Sequence, residues 1–163
     1  MTYPVDRRNV IKSMGALAAS AALPFSMPAQ AQKKPTGKPI VIGLTISQTA
    51  AAGVADHGDH LNGSILAMEE INANGGILGR PLELKPVDVD LLSPESCQAV
   101  VRKLVDMKVH AISSPFLFVP IPAMDASVGY KCPYLNGNTQ RAATDLVAAN
   151  PQKYGHIFQM DPS

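Results

Sequence analysis

The chain has 163 residues, of which 46% are hydrophobic and 17% charged, with a formal net charge of +1. That hydrophobic content excludes an intrinsically disordered chain, and the near-neutral balance, without a basic stripe, argues against a nucleic-acid partner. Two cysteines and no tryptophan allow at most one disulfide bridge.

The first 31 residues read as an export signal. Arg7-Arg8 is followed by apolar residues and closed by Lys12, an alanine-rich stretch runs from Gly15 to Met27, and Ala29-Gln30-Ala31 gives a small-x-small cleavage site. The pattern is that of a twin-arginine signal, with cleavage expected after Ala31 and the Tat translocase as the partner during export. The apolar stretch is shorter than the roughly 20 residues a membrane span needs. About 130 residues remain after cleavage, the size of one domain. Residues 32–38 form a polar linker.

Pro39 to Ile46 is a near-continuous apolar run, as in a strand buried on both faces of a parallel sheet. Leu61, Ile65, Met68 and Ile71 then recur at helical spacing and predict a helix with one apolar stripe, stopped by Asn74-Gly75-Gly76. A second strand covers Leu82 to Val89. Ser93-Pro94-Glu95 starts a second helix, with a capping serine, proline in the first turn and an acid facing the dipole. Val100, Val101, Leu104, Val105 and Met107 supply its buried side. Val109 to Ile112 is a third strand, Pro120 to Tyr130 a weak helix, Cys132 to Leu135 a fourth strand and Tyr154 to Met160 a fifth. Cys97 on a helix and Cys132 at a strand start fall at opposite ends of the sheet, so no bridge between them is expected.

Strands alternating with helices imply an α/β fold, a doubly wound parallel sheet with helices on both faces. Ligands of such sheets lie beyond the carboxyl ends of the strands. That rule selects three loops: Ser47 to Gly58, Ser113 to Pro120 and Asn136 to Arg141.

No chemistry of another class emerges. The loop after the first strand lacks the glycine pattern of a dinucleotide site, and Gly75 to Gly79 follows a helix rather than a strand. Asp56-His57-Gly58-Asp59-His60 holds four metal-capable side chains without a distant fourth ligand; acids and histidines also suit a loop entering a helix. Ser113-Ser114 has no nucleophile elbow around it. A small secreted α/β enzyme is therefore disfavoured, and no cofactor or metal is implied.

The block Asn62-Gly63, Leu66-Ala67 and Glu70 through Leu84, with Asn74-Gly75-Gly76-Ile77-Leu78-Gly79-Arg80-Pro81 at its centre, resembles the signature of branched-chain amino-acid/amide-type solute-binding proteins of ABC transporters. The Ile42-Gly43-Leu44 strand, Asp88 to Pro94 and Tyr154 to Pro162 fit in order. The resemblance covers residues 38–163 and implies the type I periplasmic binding fold. Residues 39–163 would then be the first of two lobes that close on a ligand, and the second lobe would be missing. It implies capture of a small polar solute in the periplasm, delivery to an inner-membrane ABC permease, and no catalysis. A ligand-sensing domain of the same fold in a receptor or regulator is the alternative.

Site residues carried over from the family fall in the three selected loops. Where the family has Gly-Pro-aromatic-Ser-Ser, with a serine gripping a ligand carboxylate, this chain has Ser114-Pro115-Phe116-Leu117-Phe118. Leu117 and Phe118 replace the serines, which implies a more apolar pocket for an amide, aromatic or other uncharged ligand. Asn138-Thr139 matches the family's Ala-Thr, and His57 stands nearest to a family aromatic. Ser47 and Gln48 complete the candidate ligand-binding set. As a fragment, the chain is expected to bind ligand weakly or not at all.

Overall fold

The computed structural model describes residues 34–161. The twin-arginine pattern, the cleavage site and the first two linker residues, 32 and 33, lie outside them. Five strands form one parallel sheet: β1 (Ile40–Ile46), β2 (Leu82–Asp88), β3 (Ala111–Ser114), β4 (Tyr134–Asn136) and β5 (Ile157–Gln159), in the order β2-β1-β3-β4-β5. The connections are α1 (Val54–Ala73), α2 (Pro94–Asp106), α3 (Pro120–Ser127), and, between β4 and β5, α4 (Arg141–Ala149) and the single turn α5 (Pro151–Tyr154). This is the α/β parallel fold expected from the alternation of strands and helices. Pro86 lies within β2, where it is tolerated because β2 is an edge strand.

Register divides the side chains between the two faces of the sheet. Gly43, Ile112 and Tyr134 align on one face, and Leu44, Ser113 and Leu135 on the other. The first face carries the core. Val100, Val101 and Leu104 of α2 and Ala123 and Met124 of α3 are buried with Ile112, Tyr134 and Ile157. Gly43 is needed there, because a Cβ would come within 2.7 Å of a Leu104 methyl. Each fully buried leucine in this layer contributes about 1.5–3 kcal/mol of hydrophobic stabilisation.

The second face is covered differently. α1 packs on β1 and β2, and its stripe is less buried than its spacing predicts. Leu61, Met68 and Ile71 are only half-buried, Ile65 is exposed, and His57 is the buried residue of the helix. A helix lying over two strands contacts the sheet along a narrow seam, so the flanks of a broad stripe stay in solvent. On the same face, Phe158 of β5 is 51% exposed.

The signature block closes α1 and delivers the chain into β2. The Gly76 amide donates to the Ile71 carbonyl (2.9 Å). Asn72 brackets Leu82, its Nδ2 donating to the Leu82 carbonyl (2.9 Å) and its Oδ1 accepting the Leu82 amide (2.6 Å). Arg80 donates from Nε to the Lys38 carbonyl (2.7 Å) and from a terminal nitrogen to the Pro39 carbonyl (3.0 Å), tying the turn to the start of β1.

Several boundaries differ from the sequence reading. β3 begins at Ala111 rather than Val109, and β4 at Tyr134 rather than Cys132. The last segment splits into α5 and β5, because Pro151 starts a helical turn capped by the Asn150 side chain. α4 was not foreseen at all. Both cysteines are free and buried, and burial holds their thiols above the ordinary range, Cys97 at about 11. No helix among the described residues is long and apolar enough to cross a membrane.

Candidate functional site

The carboxyl ends of the strands form a rim, and the sheet order reverses between β1 and β3. That switch point is where the loop after β1 (residues 47–53) and the loop after β3 (residues 115–119) leave in different directions, opening a crevice. Beneath it, the Thr45 hydroxyl donates to the Ser114 hydroxyl (2.8 Å), both side chains buried.

The first loop is held by side chains rather than by its own backbone. Three successive amides find acceptors: Ser47 donates to Nδ1 of His57 (2.8 Å), and Gln48 (2.7 Å) and Thr49 (3.3 Å) donate to Oδ1 of Asp88. The Thr49 hydroxyl also donates to Asp88. The Thr49 hydroxyl and the Gln48 amide together hold the Asp88 carboxyl below its usual range. The Ser47 hydroxyl donates to the Ala52 carbonyl (3.0 Å). Gly53, which precedes α1, has φ 75°, and a Cβ there would lie 2.3 Å from a Leu91 methyl.

His57 is fully buried, and both its ring nitrogens are engaged. Nε2 donates to the Phe116 carbonyl (2.9 Å), so Nδ1 is the unprotonated acceptor. Its ring meets Phe116 edge-on at 5.2 Å, and Phe116 meets Phe118 edge-on at 5.6 Å. Burial lowers the readiness of His57 to protonate. One turn later, His60 Nε2 lies 3.1 Å from the Ser113 hydroxyl. The two histidines of the Asp56-to-His60 run are thus engaged with other protein groups, and among the described residues no group of three or more histidine, cysteine or acidic side chains converges on a metal position.

The eight residues selected from sequence separate into two sets. Ser47, His57, Leu117 and Asn138 are buried, with Leu117 turned into the core. Gln48, Phe118 and Thr139 are exposed at the rim, and Phe116 lies between. Asn138 donates to the Asn136 side chain (3.3 Å), which fixes the loop after β4. Sequence reasoning did not select Gln140, whose amide nitrogen donates to the carbonyls of Leu117 (3.4 Å) and Phe118 (3.0 Å). It also did not assign Asp88 its loop-holding part, although an acid at a strand's carboxyl end was the available signal.

Two recesses flank the loop after β3. One, about 350 Å³, is lined by Asp56, His60, Ser113, Phe116, Met160 and Asp161 among others. The second, about 390 Å³, is lined by Phe118, Val119, Ile121, Gln140 and the prolines 94, 120 and 122. Neither is lined by lysine or arginine. The prolines start α2 and α3, so helix N-termini that would offer amides to an anion have lost donors there.

A parallel sheet of this order, with loops converging at the carboxyl ends of its strands, belongs to the doubly wound α/β class, in which ligands lie at the switch point. The family model described as periplasmic binding protein matches residues 39–161, and the chain belongs to that family, whose members bind solutes and are non-enzymatic. A solved structure of a branched-chain amino acid ABC transporter protein from Silicibacter pomeroyi is 28% identical, with a TM-score of 0.71 over 77% of this chain and 32% of that one. A substrate-binding protein from Desulfitobacterium hafniense, solved in complex with Leu, is 26% identical, with a TM-score of 0.62 over 77% and 35%. LivJ from Streptococcus pneumoniae, solved with isoleucine, shares the fold at 24% identity, with a TM-score of 0.66 over 77% and 34%. The chain thus spans about a third of the length of these neighbours. No curated protein matches.

Proposed function

We propose that this chain supplies the first lobe of the substrate-binding component of an ABC import system. It captures a small solute in the periplasm, between this rim and a second lobe, for delivery to an inner-membrane permease. The observation that carries the reading is the family match over residues 39–161, together with a rim in which loops from β1, β3 and β4 converge. A match that covers only 32% of the neighbour from Silicibacter pomeroyi supports a second lobe. Residues 1–31 serve export through the twin-arginine route, a reading supported by Arg7-Arg8 and Ala29-Gln30-Ala31.

Solute chemistry follows from the rim. The two positions where the family places its serines are Leu117, buried in the core, and Phe118, exposed. Neither offers a hydroxyl, and neither recess offers a cation to a carboxylate. Apolar walls with the polar groups of His60, Ser113 and Gln140 suit an amide, an aromatic or another uncharged solute better than a free α-amino acid. Calorimetry of the chain with leucine, isoleucine and the uncharged amides isovaleramide and benzamide tests this. Weak binding with the amides above the amino acids is the expected order; the amino acids binding more tightly would overturn the specificity, and heat from none of them would remove capture by this chain alone. Replacing Arg7 and Arg8 by lysine is expected to leave the precursor uncleaved in the cytoplasm, while periplasmic protein from the native chain starts at Gln32.

A further inference from the structure

His57 is the residue through which the two switch-point loops meet. It belongs to α1, yet its side chain reaches neither the core of the sheet nor solvent. One nitrogen accepts from the loop after β1 and the other donates to the loop after β3, at 2.8 and 2.9 Å. A phenylalanine could fill the same volume, but only a neutral imidazole, or an amide, can accept at one end and donate at the other. We propose that His57 is a positioning residue: its neutral ring sets the spacing between the loops 47–53 and 115–119, and protonation at Nδ1 releases loop 47–53 from loop 115–119. The consequence for solute capture rests on the function proposed above; the tie between the loops does not.

The release is specific because of what surrounds it. A protonated Nδ1 would face the Ser47 amide donor to donor, with Ser47 buried and no other acceptor bonded to that amide. The next two amides are held by Asp88 instead, whose carboxyl the Thr49 hydroxyl and the Gln48 amide hold below its usual range. The titratable groups acting on His57 are on its own helix: His60, which opposes its protonation, and Asp56, which favours it. The elements packed against it bring the Phe116 carbonyl and ring, Gly53 and Leu91, none of which titrates. Burial outweighs these influences and keeps the ring neutral at pH 7.

Amide hydrogen exchange on the ¹⁵N-labelled chain, expressed as protection factors so that the intrinsic pH dependence is removed, reads the tie directly. Between pH 7.5 and the acid limb of His57's own titration, followed by its ring resonances, Ser47 is expected to lose at least tenfold protection. Gln48, held by Asp88, keeps its protection over the same range and is the internal control. In His57→Gln, an amide that does not titrate, Ser47 stays protected at both ends. In His60→Gln the acid loss persists, which assigns it to His57 rather than to its neighbour. Ser47 following Gln48 through the titration, or the same acid loss in His57→Gln, overturns the proposal. Should His57→Phe fold, Ser47 is exposed to exchange at every pH. Calorimetry with isovaleramide, which does not titrate in this range, then connects the tie to capture: at least tenfold weaker binding in acid for the native chain and not for His57→Gln. Absence of isovaleramide binding at any pH counts against the solute reading alone, because the exchange result still decides the tie.

Discussion

At the scale of single residues, two adjacent positions have opposite fates. Leu117 is fully buried and Phe118 is half-exposed, although both stand where the family carries serine. Restoring serine at Leu117 is expected to destabilise the lobe by about 2–5 kcal/mol, as for other large-to-small core changes, without creating a hydroxyl at the rim. Phe118→Ser loses its edge contact to Phe116, worth about 0.5–1.5 kcal/mol, and places a hydroxyl in the second recess. Urea denaturation separates the two outcomes, and a gain in leucine affinity for Phe118→Ser alone would show which position can grip a carboxylate. His57 also enters stability. Its tendency to protonate is depressed in the folded chain, so the unfolded chain binds more protons between the folded value and the ordinary 6.5. The stability that His57 contributes is therefore complete above pH 6.5 and declines as pH falls below it. His57→Gln should flatten that decline in melting curves taken from pH 7.5 to 5.

Among the elements, those with strong local chemistry were legible in the sequence. α2 is the clearest, because Ser93 caps it, Pro94 opens it and a one-sided apolar face closes onto the sheet. The Ser93 hydroxyl accepts the Ser96 amide at 3.1 Å, and Ser93→Ala is expected to cost about 1 kcal/mol in chemical denaturation. The turn after α1 was legible for a similar reason. Gly76 has φ 71° and a Cβ there would lie 2.2 Å from the Arg80 carbonyl oxygen. Gly76→Ala combines a backbone conformation that side chains disfavour with a clash against main chain. Its cost should exceed the roughly 1 kcal/mol of the conformation alone, visible as a lowered melting temperature. α4 is less legible because Arg141 to Ala149 has only nine residues and no side-chain cap, so its apolar side, Ala143, Leu146 and Val147, spans a single helical repeat. The site was legible only as three loops. Which side chains within them face outward depends on loop geometry, and nothing in the string Ser114 to Phe118 distinguishes Leu117 pointing in from Phe118 pointing out.

Over the whole molecule, the two faces of the sheet are unequal. The face of α2, α3 and α4 holds the core, whereas the face of α1 leaves Phe158 and, on the helix itself, Leu66 at 66% exposure. Exposed apolar side chains of this size favour association. Sedimentation of the chain should show self-association that rises with concentration and weakens when Phe158 and Leu66 are both replaced by glutamate. Unchanged sedimentation in that double variant would place the association elsewhere.

The position of β1 between β2 and β3 has a consequence in time. Its partner on one side begins at Leu82, but its partner on the other begins only at Ala111, and the hydroxyl pair Thr45–Ser114 joins residues 69 apart. The β1–β2 pair with α1 can form early as one unit, while the switch point cannot exist until a much larger loop has closed. In refolding, protection of the β1–β2 amides should therefore precede that of Ser47, and the crevice would be the last part of the lobe to acquire its shape.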